Sequence, residues 1–149
     1  MRRMMVCAWL VLLASLGTSY GQGEKKQSTV YPPKIVANVA LTSQGGAIPP
    51  TTLITFTTNL YRVSAYYEMV ATTPDCNSSI SPTFQWTDDS LHSRSQSMKG
   101  SPFECSTLSY GETVFVAHGA PDTPLTYSVL VNPTDTIQYN LYITVEKLQ

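Results

Sequence analysis

The strongest constraint on this chain is a two-residue rhythm. From Leu60 to Ala71, the side chains of Tyr61, Val63, Ala65, Tyr67 and Met69 fall on one side, and those of Arg62, Ser64, Tyr66 and Glu68 on the other. From Thr136 to Lys147, Ile137, Tyr139, Leu141, Ile143 and Val145 oppose Gln138, Asn140, Tyr142, Thr144 and Glu146. Alternation of this length specifies a strand with one covered face, because a helical repeat of 3.6 would scatter both sets. Shorter segments continue the pattern. Ile35 to Leu41, Thr51 to Thr57, Thr83 to Thr87, Ser93 to Met98, Glu112 to His118 and Leu125 to Val131 each read as a strand. The second should lie at an edge, because Pro49 and Pro50 beside it cannot donate to a ladder. Ser93 to Met98 is polar and also suits an edge. Turn residues stand between the strands, notably Gln44-Gly45-Gly46, Asp88-Asp89-Ser90, Lys99-Gly100-Ser101-Pro102 and the proline-punctuated Gly119 to Pro124. About eight strands without a convincing amphipathic helix predict an all-β, two-sheet antiparallel sandwich, jelly-roll-like, with a small β-barrel as the alternative. The alternation predicts a core of Val63, Ala65, Tyr67, Phe84, Trp86, Val114, Val116, Tyr127, Val129, Leu141, Ile143 and Val145.

The flanks place this domain in the chain. Arg2 and Arg3, the apolar run Val6 to Leu16 and the small-x-small Ser19-Tyr20-Gly21 read as an export signal over residues 1–21. The run is too short to span a bilayer, which takes about 20 residues. Residues 22–33 read as a flexible polar segment leading into one domain over 34–149. The expected product is secreted, periplasmic or extracellular, without a membrane span after cleavage. Ser and Thr supply 32 of the 128 residues after position 21, while charged residues are only 13% of the chain. Loss of Arg2 and Arg3 moves the net charge from −1 to −3, so a nucleic-acid partner, which needs clustered positive charge, is not expected. With Cys7 in the leader, Cys76 and Cys105 remain as an even pair, and an oxidising compartment makes a disulfide the expected state. Asn77-Ser78-Ser79 is a glycosylation sequon if the producing cell glycosylates.

Leu60-Tyr61-Arg62-Val63-Ser64-x-Tyr66-x-Glu68, followed by Trp86-Thr87-Asp88-Asp89 and a closing Tyr139-x-Leu141-x-Ile143 strand, resembles a pattern of short, largely uncharacterised all-β domains in bacterial secreted and phage-related proteins. The resemblance covers roughly residues 50–148. At the level of fold it is similar to the trimeric jelly rolls of the tumour-necrosis-factor and complement globular-head type, which implies a homotrimer. The matching residues are architectural, so the resemblance implies no catalytic residue.

Reactive constellations are sparse. His92 and His118 are the two histidines, so a secreted hydrolase or metal-dependent enzyme would have to use one of them. Asp88, Asp89 and His92 have the residue types of a cation site, but aspartates in such a segment more simply bond their own turn backbone. Glu68 and Glu146 have the residue types of a glycosidase pair, yet both fall on polar strand faces. No phosphate-cradling glycine loop is present, and the sequence calls for no metal or cofactor. The aromatics are more telling. Tyr66 and Tyr142 fall on faces turned away from the core, and Arg62 shares the face of Tyr66. Exposed tyrosines stack on sugars or anchor protein interfaces. The sequence therefore points to a non-enzymatic binding or assembly module with a protein or glycan partner, or a copy of itself. Arg62, Tyr66 and Tyr142 are the candidate binding residues, and a structural component of an envelope or fibre is a further alternative.

Overall fold

In the computed structural model, residues 32–71, 80–100, 110–131 and 137–148 are described. Nine strands run through them: β1 Lys34–Gly45, β2 Ile48–Thr55, β3 Tyr61–Ala71, β4 Ile80–Thr87, β5 Ser93–Ser97, β6 Lys99–Gly100, β7 Tyr110–Ala117, β8 Pro124–Val131 and β9 Gln138–Lys147. The two-residue β6 only extends an edge. The other eight form two antiparallel four-stranded layers, β1-β9-β3-β7 and β2-β8-β4-β5. No helix occurs among the described residues, and the ladders do not close into a barrel there.

The pairing is nested. β4 pairs with β5, β3 with β7, β2 with β8 and β1 with β9, which is one long hairpin doubled back on itself. Rolling that hairpin up adds the pairs β3 with β9 and β4 with β8. The product is the jelly roll the strand count suggests. The predicted leader, most of the flexible segment, the Cys76–Cys105 pair and Asn77 lie outside the described residues.

The core lies between the two layers. Val63, Ala65, Tyr67, Phe84, Tyr127, Val129, Leu141, Ile143 and Val145 are buried there as alternation predicts, and Trp86 is half-buried against Phe115. Val114 and Val116 correct the prediction. They are 67% and 55% exposed, and Gly111, Thr113, Phe115 and Ala117 of the same strand turn inward instead. The segment Thr113-Val114-Phe115-Val116-Ala117 is apolar in both phases, so its own sequence does not fix the face. Pairing of Val63 with Phe115 in the β3–β7 register does.

Several buried residues lie outside the predicted core, including Phe56, Tyr61, Met69, Leu125, Ile137 and Tyr139. Tyr139 is wholly buried and its hydroxyl donates to the Gly46 carbonyl at 3.0 Å. Pro49 and Pro50 belong to β2, which pairs only with β8, and a register shift between Ile48 and Thr51 accommodates them at that edge. β1 runs on to Gly45 through a bulge between Leu41 and Gln44, where the sequence suggests a loop from Gln44. There Ser43 has φ 53° and its N–H donates to Asn140 Oδ1 at 2.9 Å.

Candidate functional site

Directly paired residues of an antiparallel sheet share a face, so the registers map the outer surface of β1-β9-β3-β7 row by row. One row is Asn140 (β9), Glu68 (β3) and Tyr110 (β7). The next is Ala40 (β1), Tyr142, Tyr66 and Glu112. The third is Asn38, Thr144, Ser64 and Val114. The fourth is Glu146, Arg62 and Val116. Successive rows are two residues, or about 7 Å, apart.

This map assembles all three sequence candidates on one surface. Tyr66 and Tyr142 are direct cross-strand partners, with ring centroids 6.4 Å apart and planes inclined by 22°. Tyr110 continues the line, 6.5 Å from Tyr66. The Tyr66 hydroxyl donates to Glu68 Oε2 at 3.3 Å, and Asn140 Nδ2 donates to Glu68 Oε1 at 2.8 Å, so the carboxylate is held from two sides. Partial burial and the Glu68 charge raise the Tyr66 pKa above the ordinary phenol value, so its hydroxyl stays protonated. Arg62 stands two rows away. Its Nε donates to Glu146 Oε2 at 2.6 Å. That hydrogen bond raises the guanidinium pKa and lowers that of the carboxylate, and the pair stays charged through neutral pH.

Between the tyrosine row and the ion-pair row lies a row of short side chains. The result is a trough of about 310 Å³, lined by Ser64, Tyr66, Glu112, Val114, Tyr142 and Thr144. The Ser64, Thr144 and Tyr142 hydroxyls and the Glu112 carboxylate make no hydrogen bond to one another or to other described side chains. Sequence reasoning missed Tyr110, Val114 and Val116 as members of this face. Tyr110 precedes the predicted strand, and the valines stand in the phase that alternation predicts to be buried.

The other layer presents a different outer surface. Thr83, Ser128 and Ser97 form one row, and Gln85, Thr126 and Ser95 the next. Of the eleven exposed large apolar side chains among the described residues, eight lie on β1, β3, β7 or β9, and only Leu130 lies on β2, β4, β5 or β8.

The remaining sequence candidates lie elsewhere. Asp88 Oδ1 accepts the N–H groups of Ser90 and His92 at 3.0 and 2.8 Å, and Oδ2 accepts Arg94 Nε at 2.7 Å. This is the turn reading of Asp88: its oxygens are engaged by the β4–β5 hairpin. The His92 backbone N–H and the Arg94 guanidinium lower its pKa. His92 Nδ1 lies 3.6 Å from Asp88 Oδ1, and His118 Nδ1 lies 3.3 Å from Asp89 Oδ2. Both imidazoles are exposed, no hydroxyl bonds either among the described residues, and no cluster of three metal-ligating side chains occurs there. Glu68 and Glu146 lie three rows apart, about 20 Å along the strands, far beyond the spacing of two carboxylates acting on one glycosidic bond. No protein-family model, curated protein or solved structure matches this chain.

Proposed function

We propose that this chain is a non-enzymatic contact module, exported by its leader, which binds or assembles through the outer face of β1-β9-β3-β7. One observation carries the reading. Large apolar side chains are exposed on one layer and nearly absent from the other, whose surface is built from Ser, Thr and Gln. Both layers cover the same core, so core packing gives no reason for the difference. A clustered apolar surface rimmed by polar groups marks an interaction site, and tyrosines among Arg, Asn and Glu have the composition of contact surfaces.

The experiment pairs molar mass in solution with binding to immobilised proteins and glycans, for the wild type and for Val116→Lys. The lysine places a charge on the face and leaves the core untouched. Association in the wild type that the lysine abolishes is the expected result. A wild-type monomer that binds nothing, or association indifferent to the lysine, contradicts the proposal.

A further inference from the structure

We infer that the trough between the tyrosine row and the Arg62–Glu146 row is a binding site for a neutral carbohydrate. The inference rests on reading this face as the contact surface and names what the face holds.

Three features of the trough select the ligand. The first is shape. The Tyr142 and Tyr66 rings, inclined by only 22°, form one wall, and the short Ser64 and Thr144 side chains form a floor about 7 Å further along the strands. At about 310 Å³ the trough is at the small end of ligand sites and is open to solvent. It suits a short stretch of chain lying across the strands. The second feature is hydrogen-bonding capacity. Ser64, Thr144, Tyr142 and Glu112 line the trough, and no hydrogen bond joins their hydroxyls or carboxylate to a described side chain. A pyranose ring meets both features together, with its C–H face against the tyrosines and its hydroxyls in reach of these groups. The third feature is charge. Among the described side chains that line the trough, Glu112 alone is charged, Lys99 stands opposite it in the β6–β7 register, and Arg62 beyond the floor is already neutralised by Glu146, so neither sign of charge is in excess. A sulfated or phosphorylated polymer would bring its charge beside the Glu112 carboxylate and find no free cation among the described lining side chains.

A second copy of the chain fits less well. A flat apolar face laid over the trough would cover four polar groups without partners, and such burial is unfavourable. A neutral polyol instead supplies hydroxyls that donate to Glu112 and both donate to and accept from the three hydroxyls.

The test is an array of immobilised neutral oligosaccharides built from glucose, mannose, galactose or N-acetylglucosamine, probed with the full exported chain. Saturable binding that does not weaken at high salt is expected, because no ion pair joins the partners. Tyr142→Ala should weaken it by about tenfold or more, and Tyr142→Phe, which keeps the ring, by less than about threefold. Leu130→Lys, on the other layer, should leave it unchanged. These side chains are on the surface, and thermal unfolding of each variant confirms that it folds.

Two results overturn the inference: folded wild type that binds none of these saccharides, or binding that Tyr142→Ala does not weaken. If saccharide binding is absent while Val116→Lys breaks a wild-type self-association, the contact surface stands and its occupant is a second copy. If both are absent, the inference and the reading beneath it fall together.

Discussion

Gly119 offers a strict test of how the two layers are held at the end that carries the β4–β5 hairpin. It pairs with Asp88 in an isolated bridge, and the next residue, Ala120, donates its N–H to the Thr87 carbonyl at 3.0 Å. A Cβ at position 119 would lie 2.1 Å from Cδ2 and 2.4 Å from Cε2 and Cγ of Phe56. That ring is wholly buried and packs edge-on against Tyr61, with centroids 5.4 Å apart. Its backbone is tied in both directions, by Phe56 N–H to Thr123 O at 2.8 Å and by Asp122 N–H to Phe56 O at 3.0 Å. Ring or backbone must therefore shift by more than 1 Å to restore ordinary contact, against the packing of a wholly buried ring and the hydrogen bonds that tie its backbone. Overpacking of this kind costs about 1–3 kcal/mol and sometimes more, and the immobile ring places Gly119→Ala at about 3 kcal/mol or above. Urea unfolding followed by Trp86 fluorescence measures it. Phe56→Ala alone should cost about 3–5 kcal/mol through the cavity it opens. In the double variant the clash vanishes, so the two losses should fall short of additivity by about 2 kcal/mol or more. A Gly119→Ala loss below about 0.5 kcal/mol, or strictly additive losses, would refute the packing argument.

Other expectations follow from single residues. Leu91 closes the β4–β5 hairpin at φ 64° and is 75% exposed; Leu91→Gly should raise stability by up to about 1 kcal/mol in thermal unfolding, and a loss would count against the strain. Burial raises the Tyr139 pKa to about 12, above the unfolded value of about 10. The folded state therefore holds the proton more tightly, so this contribution is complete below pH 10 and is lost as pH rises through 12. Tyr139→Phe should flatten that part of a stability–pH curve, and an unaltered slope would contradict the assignment. Asp88 has the opposite sign. Its lowered pKa makes its contribution complete above the ordinary carboxylate range and lost as pH falls through the folded value, so Asp88→Asn should reduce the acid sensitivity of unfolding.

The architecture was readable where a strand carries a single apolar phase. In β3 and β9, polar residues mark the outer face unambiguously, so the buried set from Val63 to Tyr67 and from Leu141 to Val145 follows from alternation alone. In β7 both phases are apolar, and only pairing with β3 turns Phe115 inward and Val114 outward. The candidate site shows the same division. Alternation alone places Tyr66, Arg62 and Tyr142 away from the core. Their adjacency is a property of register, since Tyr66 faces Tyr142 only because β3 and β9 pair at that offset. The trough needs three strands in register, and no local pattern encodes that. Leu91 was hidden for another reason: the aspartates announce the turn, but a left-handed leucine contradicts the residue preference of the position.

Amide chemical-shift mapping by NMR tests the contact surface most directly, either on adding an oligosaccharide that the array selects or across a protein concentration series. The account predicts shifts confined to β9, β3 and β7 around Ser64, Tyr66, Val114, Tyr142 and Thr144. Shifts centred instead on Thr83, Gln85, Ser95 and Thr126 of the hydroxyl-rich layer would contradict it.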